Sequence, residues 1–270
     1  MSNLKEVFSF WVEGSLDYHS TICIKSWIKL GYTVTIFKFH DINIDLEKFP
    51  LVLFKDARQF CELPPFKKPQ EIADYFRFAK LEKEGGTWLD TDELLLKCLP
   101  DDEVIISSEH CKKYGAYAPA NREYTANIGV LRFPPKHPLI VETMKRLNRQ
   151  VKKGGIPKSH TNDNYNYLMK KFQLLVHKEY KHLISPPNLY CPISWAYAKD
   201  LYEKPDLWET KKFGDDPHKK FGIEQKQLQY ILDNSYGIHL WRNLYHTRGY
   251  CDRPVHGCVF EMLCAMVLQQ

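Results

Sequence analysis

The chain lacks the sequence patterns that mark several large classes of proteins. Its eight cysteines include no Cys-x-x-Cys pair, which argues against a zinc ribbon and against a thioredoxin-type redox motif. No signal-peptide pattern opens the sequence, and no apolar run approaches the roughly 20 residues needed to cross a bilayer. The sequence therefore predicts a protein of the reducing cytoplasm without a transmembrane segment, with peripheral membrane contact as the lesser alternative.

Basic residues are not concentrated in an arm, a tail or a stripe. The 38 Lys and Arg residues exceed the 33 Asp and Glu residues only slightly, for a formal charge of +5, and no nucleic-acid-binding module is recognisable. Both observations argue against a nucleic-acid partner. Internal repeats and low-complexity tracts are also absent. With 44% hydrophobic residues the 270 residues can build one large core, so we expect a single domain over residues 1–270.

The most informative segment that is present spans residues 73–92, ADYFRFAKLEKEGGTWLDTD. A helical pattern meets Gly85 and Gly86, and a short apolar strand then delivers Asp90 and Asp92 to its end. Hard cations such as Mg²⁺ and Mn²⁺ prefer carboxylate oxygens and keep positions open for substrate phosphates. The Asp-x-Asp pair is thus a candidate metal and diphosphate site, although such triplets are also common in solvated turns.

Strand patterns and helical patterns alternate through the first half of the chain. Strands are predicted at residues 7–12, 33–39, 51–54 and 87–90, helices at 18–30, 72–84 and, as a terminal helix, 255–268, and a proline-rich loop at 61–70. This alternation predicts an α/β fold in which helices cover both faces of a mostly parallel sheet. Ligands of such sheets bind at the carboxyl ends of strands, so residues 11–14 and 90–92 are expected to share one crevice.

Four ordered segments resemble the Asp-x-Asp glycosyltransferases of the GT-A fold, specifically the family 32 type with the sugar-binding-region DXD motif. They are FSFWVEG with CIKSWIKLGYTVTIF, then Asp74-x-x-Arg77 with Gly-Gly-x-x-x-Asp90-x-Asp92, then ANIGVLRFPPKHPLIVETMKRL, and finally GIHLW. The resemblance extends over most of the chain. It implies a GT-A, Rossmann-like sheet flanked by helices. It also implies a nucleotide-sugar and metal half at residues 1–150 and an acceptor half with a C-terminal closing segment at residues 151–270.

The resemblance assigns donor binding to residues of the first half. It implies that the Trp11 ring stacks on uracil while the backbone around Phe10 and Val12 reads the base edge; ordinary core packing of Trp11 is the alternative. Asp74 is expected to contact hydroxyls of the donor sugar and Arg77 the sugar or phosphate oxygens. A surface ion pair between these two residues is the alternative.

Five residues around the motif are expected to hold the metal and the donor. By resemblance, Asp90 contacts ribose, sugar or metal, and Asp92 ligates the metal. His239 completes the shell of the cation, or else is a hydrogen-bonded core residue. Trp241 covers the pyrophosphate or simply packs, and Asn127 hydrogen-bonds the donor sugar or only begins a strand.

The implied activity is metal-dependent transfer of a sugar, with retention of configuration, from a nucleotide-sugar donor to a glycan hydroxyl. The cation is Mn²⁺ or Mg²⁺, and an imidazole ligand favours manganese; a UDP-sugar is the expected donor. Asp163 is a candidate catalytic group for a double displacement, with a helix N-cap as the alternative; front-face attack needs no such group. A toxin-like protein glycosyltransferase, a non-catalytic sugar-nucleotide or glycan-binding module and a nucleotidyl hydrolase are the alternative functions.

Overall fold

A six-stranded sheet lies at the centre of the protein. The structure is a computed structural model, and it describes residues 5–12, 14–39, 51–66, 68–110, 124–152, 167–195, 198, 201–202, 225–242 and 257–269. The strands are β1 (Glu6–Phe10), β2 (Thr33–Lys38), β3 (Val52–Asp56), β4 (Gly86–Leu89), β5 (Glu93–Leu95), β6 (Ile105–His110), β7 (Tyr124–Phe133) and β8 (Gly237–His239). The helices are α1 (Tyr18–Lys29), α2 (Pro69–Glu84), α3 (Pro138–Lys152), α4 (Tyr167–Glu179), α5 (Gln225–Asn234) and α6 (Val259–Gln269).

The strand order in the central sheet is β3-β2-β1-β4-β7-β6. Strand β1 pairs in parallel with β2 and β4, and β2 pairs in parallel with β3. Strand β7 runs antiparallel to both of its neighbours, β4 and β6, so it alone opposes the direction of the other strands of this sheet. This topology confirms the predicted α/β class with a mostly parallel sheet. It also places the carboxyl ends of β1 and β4 side by side.

Successive strand residues enter two hydrophobic cores, one on each face of the sheet. Along β1, Val7 belongs to the core that α1 and α6 cover, whereas Phe8 belongs to the core that α2, α3 and α4 cover. Side chains of a strand alternate between faces, so a strand buried on both sides must be apolar at every position. The helices therefore pack on both faces of the sheet, as predicted.

Helix α2 connects the sheet to the Asp-x-Asp segment. It begins at Pro69, so the last residues of the predicted loop are helical, because the fixed φ of proline suits the first helical turn. It ends at Gly85, whose φ of +63° and ψ of −152° are open mainly to glycine. A Cβ at this position would lie 2.5 Å from the carbonyl oxygen of Phe133. The chain thus turns directly into β4 and carries Asp90 to the edge of the sheet.

A separate two-stranded ribbon joins β5 to β8. The two strands are antiparallel, and Glu93 lies opposite His239. Since Glu93 directly follows Asp92, this register brings a residue from the C-terminal part of the chain to the Asp-x-Asp segment.

Several expectations concern membrane contact, domain organisation and the second half of the chain. No helix among the described residues combines the length and the apolar character needed to span a membrane. Asp163 lies outside the described residues. The division of the chain near residue 150 stays a prediction.

Candidate active site

Asp90, Asp92 and His239 meet at the carboxyl end of β4. One potential ligand atom from each residue lies within 4.8 Å of the others. Asp90 is the first residue after β4, Asp92 is the last before β5, and His239 ends β8. The antiparallel pairing of β5 with β8, in which Glu93 lies opposite His239, brings these two motifs together although they are far apart in sequence.

The Asp90 carboxylate is held by groups close to it in the sequence. Its Oδ1 accepts hydrogen bonds from Nη2 of Arg77 at 2.6 Å and from Nε1 of Trp88 at 2.7 Å. Its backbone N–H donates to the carbonyl oxygen of Gly129 at 2.8 Å. Oδ2 accepts no hydrogen bond from the described residues. One oxygen of Asp90 is therefore fixed by protein donors, and the other is available to a ligand.

Arg77 lies buried behind Asp90. Its Nη1 donates to the carbonyl oxygen of Ile128 at 2.8 Å, its Nη2 lies 3.3 Å from Oδ1 of Asp74, and its guanidinium lies 4.3 Å from the ring centroid of Trp88. Asp74 and Arg77 are each only 3% exposed. This burial excludes the alternative of a surface ion pair. The expected contact of either residue with the donor stays a prediction.

Two acids share the single guanidinium of Arg77. Burial raises the pKa of Asp74 to about 7, although Arg77 opposes that shift. Burial also raises the pKa of Asp90, again against the effect of Arg77. Removing carboxylates from water disfavours their charged form, and one nearby cation offsets only part of that cost.

Asp92 is held by the C-terminal part of the chain. Its Oδ1 lies 3.2 Å from Nε2 of His239, and its Oδ2 accepts a hydrogen bond from the backbone N–H of Arg242 at 2.9 Å. Its carbonyl oxygen accepts from the N–H of Leu240 at 2.9 Å. Trp241, between these two donors, has a φ of +56°, which is unusual for a residue other than glycine. This left-handed turn directs the N–H of Arg242 to Asp92, and such strain is typical of functional sites.

Asp92 and His239 form a partly buried ion pair, with side chains that are 15% and 11% exposed. Burial alone would raise the pKa of Asp92, but His239 and the donors at Arg242 lower it well below its usual range. Burial alone would lower the pKa of His239, but Asp92 raises it well above its usual value. The Nδ1 atom of His239 is buried and makes no hydrogen bond with the described residues. His239 thus has polar contacts with Asp92, within the site, and with the thiol of the buried Cys191.

This donor set fits a divalent cation. Carboxylate oxygens suit Mg²⁺ and Mn²⁺, and an imidazole nitrogen favours manganese over magnesium. Asp90 contributes an oxygen without a described hydrogen-bond donor, and Asp92 and His239 contribute the remaining atoms of the cluster. The three residues named as metal ligands from the sequence are therefore the three that the structure brings together.

Asn127 lies beside Asp90 on β7. Its Oδ1 accepts the N–H of Gly129 at 2.6 Å, and its Nδ2 lies 3.4 Å from Oε2 of Glu109. A Cβ at Gly129 would lie 2.9 Å from the Asn127 amide oxygen and 3.6 Å from Oδ2 of Asp90. Glycine at this position therefore leaves the space between the amide and the carboxylate open. Glu109 is a buried acid that the sequence interpretation missed.

Trp11, at the end of β1, is mostly buried. Its side chain is 8% exposed and belongs to the core that α1 covers, and the guanidinium of Arg242 lies 4.7 Å from the centroid of its ring. Phe10 is buried against the rings of Phe39 and Phe76, and Val12 is half-buried. Core packing of Trp11 is thus present, and base stacking by this residue stays a prediction.

Trp241 closes the C-terminal side of the site. Its ring centroid lies 4.3 Å from that of His239, and its Nε1 donates to the carbonyl oxygen of Ile193 at 2.8 Å. The indole is therefore fixed against the imidazole, and its contact with a pyrophosphate stays a prediction.

Arg242 and Glu93 are two further residues that the sequence interpretation missed. Arg242 forms an ion pair with Asp17 through Nε in addition to its contact with Asp92. Glu93 is 1% exposed, and burial raises the pKa of its carboxyl well above the usual value. The available signals were a basic residue directly after the His-x-Trp motif and a charged residue that opens the apolar run ELLL.

The N-terminal part of the chain matches a known protein family. Residues 9–111 match the family described as glycosyltransferase sugar-binding region containing DXD motif. The matched residues include α2, both carboxylates of the Asp-x-Asp motif and Arg77, and they end before β7 and β8. No curated protein gives a significant match to the chain.

Solved structures of glycosyltransferases show low similarity to this chain. PaToxG glycosyltransferase is 19% identical over 66% of this chain and 70% of that chain, with a TM-score of 0.47. The apo form of the glycosyltransferase GlyE from Streptococcus pneumoniae TIGR4 is 16% identical over 68% of this chain, with a TM-score of 0.39. A further GlyE structure is 15% identical over 96% of this chain, with a TM-score of 0.41. The matches cover 46% and 62% of the two GlyE chains. The family match thus assigns a glycosyltransferase-type sugar-binding region with its DXD motif to residues 9–111, which are less than half of the chain.

Proposed function

We propose that the protein is a metal-dependent, retaining glycosyltransferase that moves a sugar from a UDP-sugar to a hydroxyl of a glycan acceptor. The observation that carries this proposal is the convergence of Asp90, Asp92 and His239 within 4.8 Å, with both aspartates in the segment that matches a DXD sugar-binding region. Retention, the uridine nucleotide and the glycan acceptor rest on the resemblance to family 32.

Asp90, Asp92 and His239 would hold Mn²⁺ or Mg²⁺ at this site. The bound cation would supply positive charge to the diphosphate leaving group, which is the principal electrostatic demand of the reaction. Trp88 and Arg77 hold one oxygen of Asp90 and leave the other available. The N–H of Arg242 holds Asp92 from the opposite side. These contacts preorganise both carboxylates before any ligand arrives.

In the proposed reaction, the bond from the anomeric carbon to the phosphate oxygen breaks and a bond to the acceptor oxygen forms on the same face. The acceptor hydroxyl gives up a proton, and an oxygen of the leaving diphosphate accepts it. Asn127, which Gly129 and Glu109 hold beside Asp90, is placed to hydrogen-bond a hydroxyl of the donor sugar. Asp163 is the candidate nucleophile of the double-displacement route. Asp163→Ala would distinguish this route from front-face attack, because only the double displacement requires this carboxylate.

The test is a thermal-shift and hydrolysis screen of UDP-, GDP- and dTDP-sugars, each with Mn²⁺, Mg²⁺ or EDTA. A donor that binds the folded protein raises its melting temperature by mass action. We expect a metal-dependent shift with a UDP-sugar and slow release of UDP, and neither with Asp92→Asn. Binding without release of UDP, even when glycan acceptors are supplied, would instead identify a sugar-nucleotide-binding module. Release of UMP and sugar phosphate would identify a hydrolase.

A further inference from the structure

The two arginines nearest to the Asp-x-Asp pair are placed very differently. The side chain of Arg77 is 4% exposed, and its two terminal nitrogens already donate to Ile128 and Asp90. Its Nε is also buried and makes no hydrogen bond with the described residues. Arg77 therefore compensates the charges of Asp74 and Asp90 from within the protein. A phosphate group in the crevice would need a donor that lies nearer to solvent.

Arg242 meets that requirement. Its side chain is 29% exposed, and its backbone N–H lies 2.9 Å from Oδ2 of Asp92, so the residue begins at the metal site. Its guanidinium reaches across to the Trp11 ring, at 4.7 Å from the centroid, and its Nε contacts Asp17. No described residue accepts a hydrogen bond from its two terminal nitrogens. The guanidinium thus spans the gap between the expected base site and the expected metal site.

Asp17 holds this guanidinium through Nε. The two terminal nitrogens of Arg242 therefore keep their hydrogen-bonding capacity. The carboxylate of Asp17 also caps α1, because its Oδ1 accepts the N–H of Ser20 at 2.8 Å. A carboxylate held at the start of a helix is a rigid anchor, and it engages Arg242 through Nε and leaves the planar fork free. The fork of an arginine matches two oxygens of a phosphate group, which is why arginine is common at phosphate sites.

We infer that Arg242 is a substrate-binding residue whose terminal nitrogens contact the diphosphate of the nucleotide donor between Trp11 and Asp92. This inference rests on the proposed function and adds a specific ligand group and a specific residue to it. The competing explanation is that Arg242 only joins α1 to the C-terminal segment through Asp17.

The experiment compares the binding of uridine, UMP and UDP, each with Mn²⁺, to the wild type and to Arg242→Met by calorimetry. Methionine keeps an unbranched, flexible side chain of similar reach but removes the charge and the donors. Hydrogen bonds to charged groups support a loss of about 10- to 100-fold in UDP affinity. We expect that loss for UDP, little change for uridine, and partial recovery with Arg242→Lys, which restores the charge without the planar fork.

Arg146→Met is the matched control, because Arg146 is a similarly exposed arginine on α3 whose Nε also contacts a carboxylate, that of Glu142 at 3.0 Å. We expect it to keep UDP affinity within a few-fold of the wild type. Equal losses for UDP and uridine, unchanged UDP affinity in Arg242→Met, or a loss in Arg146→Met as large as in Arg242→Met would each overturn the inference while leaving the proposed function intact. A wild-type protein that binds no UDP with Mn²⁺ would overturn both.

Discussion

Asp90 and Asp92 are separated by one residue, yet different parts of the chain hold them. Asp90 receives its donors from Arg77 and Trp88, which lie 13 and 2 residues away. Asp92 receives its contacts from His239 and Arg242, which lie 147 and 150 residues away. The first carboxylate is held by the sheet and α2, and the second is held at the seam where the C-terminal segment docks.

Because of this difference, we expect the contacts of Asp90 to contribute mainly to stability and the contacts of Asp92 mainly to activity. The contacts of Asp90 include a buried guanidinium and a backbone ladder, so their loss should weaken the fold. The contacts of Asp92 come from the imidazole of His239, which is 11% exposed, and from the backbone N–H of Arg242, so their loss should mainly affect ligand binding. Substitutions on the two sides should therefore have distinguishable signatures in unfolding and in turnover.

The largest expected effect is on the Asp92 side. Asp92→Asn removes a ligand charge from the metal site, while the amide keeps the shape of the side chain and can still accept the N–H of Arg242. Loss of groups that merely support metal ligands costs about 10- to 100-fold in affinity or activity, so loss of a ligand should cost at least about 100-fold. Manganese-dependent release of UDP is the measurement, and the melting temperature without metal should change by only a few degrees.

The matched control for that variant is Asp102→Asn, a change of the same kind at an exposed position between β5 and β6. It should keep wild-type turnover. If Asp92→Asn turned over the donor at the wild-type rate, the metal assignment would be wrong. If it instead lost its folded structure, the contrast between the two carboxylates would fail.

The next largest effect is expected on the Asp90 side, from Arg77→Met. Methionine fills much of the volume but leaves Asp74 and Asp90 buried without their shared cation. Removing one partner of a buried ion pair typically costs about 3–5 kcal/mol. Urea unfolding should show this loss in the free energy of unfolding. A change below about 1 kcal/mol, as is typical of exposed pairs, would contradict the buried role of Arg77.

Sequence reasoning reached the Asp90 side more fully than the Asp92 side, for a physical reason. The helix, Gly85, the strand and the Asp-x-Asp motif lie within 20 residues, and each obeys a local rule, so their order predicts the local structure. The burial of Asp74 and Arg77 was not predictable in this way, because the spacing of an acid and a base on one helix does not specify whether that face meets solvent or protein.

On the Asp92 side, the resemblance to a known family placed His239, but nothing in the local sequence placed Arg242 or Glu93. Their positions depend on the register of β5 with β8, which pairs residues more than 140 positions apart. A one-residue shift in that register would reverse the face on which each side chain lies. Such long-range pairing is decided by tertiary packing, which is why these two residues emerged only from the structure.

Gly237, in the strand that carries His239, allows a further test of this comparison with a smaller expected effect. A Cβ at Gly237 would lie 2.7 Å from Oε1 of the buried Glu93 and 3.3 Å from the carbonyl oxygen of Leu94. The carboxyl of Glu93, which is 1% exposed, would have to shift against its packed surroundings, so Gly237→Ala should destabilise the protein by about 1–3 kcal/mol. It should also weaken Mn²⁺ binding, because β8 carries His239. Thermal shifts with and without Mn²⁺ measure both effects.

Gly31→Ala is the control for Gly237→Ala. Gly31 has a φ of +82°, and a Cβ there would meet no atom within 4 Å. It should cost about 1 kcal/mol from backbone conformation alone and leave Mn²⁺ binding unchanged. If both variants lowered stability and metal binding equally, the fit of β8 against Glu93 would not control the metal site.

A pH dependence of stability is also expected, and it belongs to the Asp90 side. Burial raises the pKa of Asp74 from 3.8 to about 7 in spite of Arg77. Between about pH 4 and pH 7, the folded protein therefore holds a proton that the unfolded chain has released. Raising the pH through this window should lower the free energy of unfolding by at most about 1.4 kcal/mol per pH unit from this group.

Asp74→Asn removes this titration from the folded protein, because an amide does not titrate in this range. The free energy of unfolding of the variant should thus fall less steeply than that of the wild type between pH 4 and pH 7, with the two slopes converging above pH 7. Urea titrations at several pH values provide the comparison without any ligand. Parallel curves would mean that Arg77 keeps Asp74 ionised throughout, and that this guanidinium compensates both buried acids of the Asp90 side.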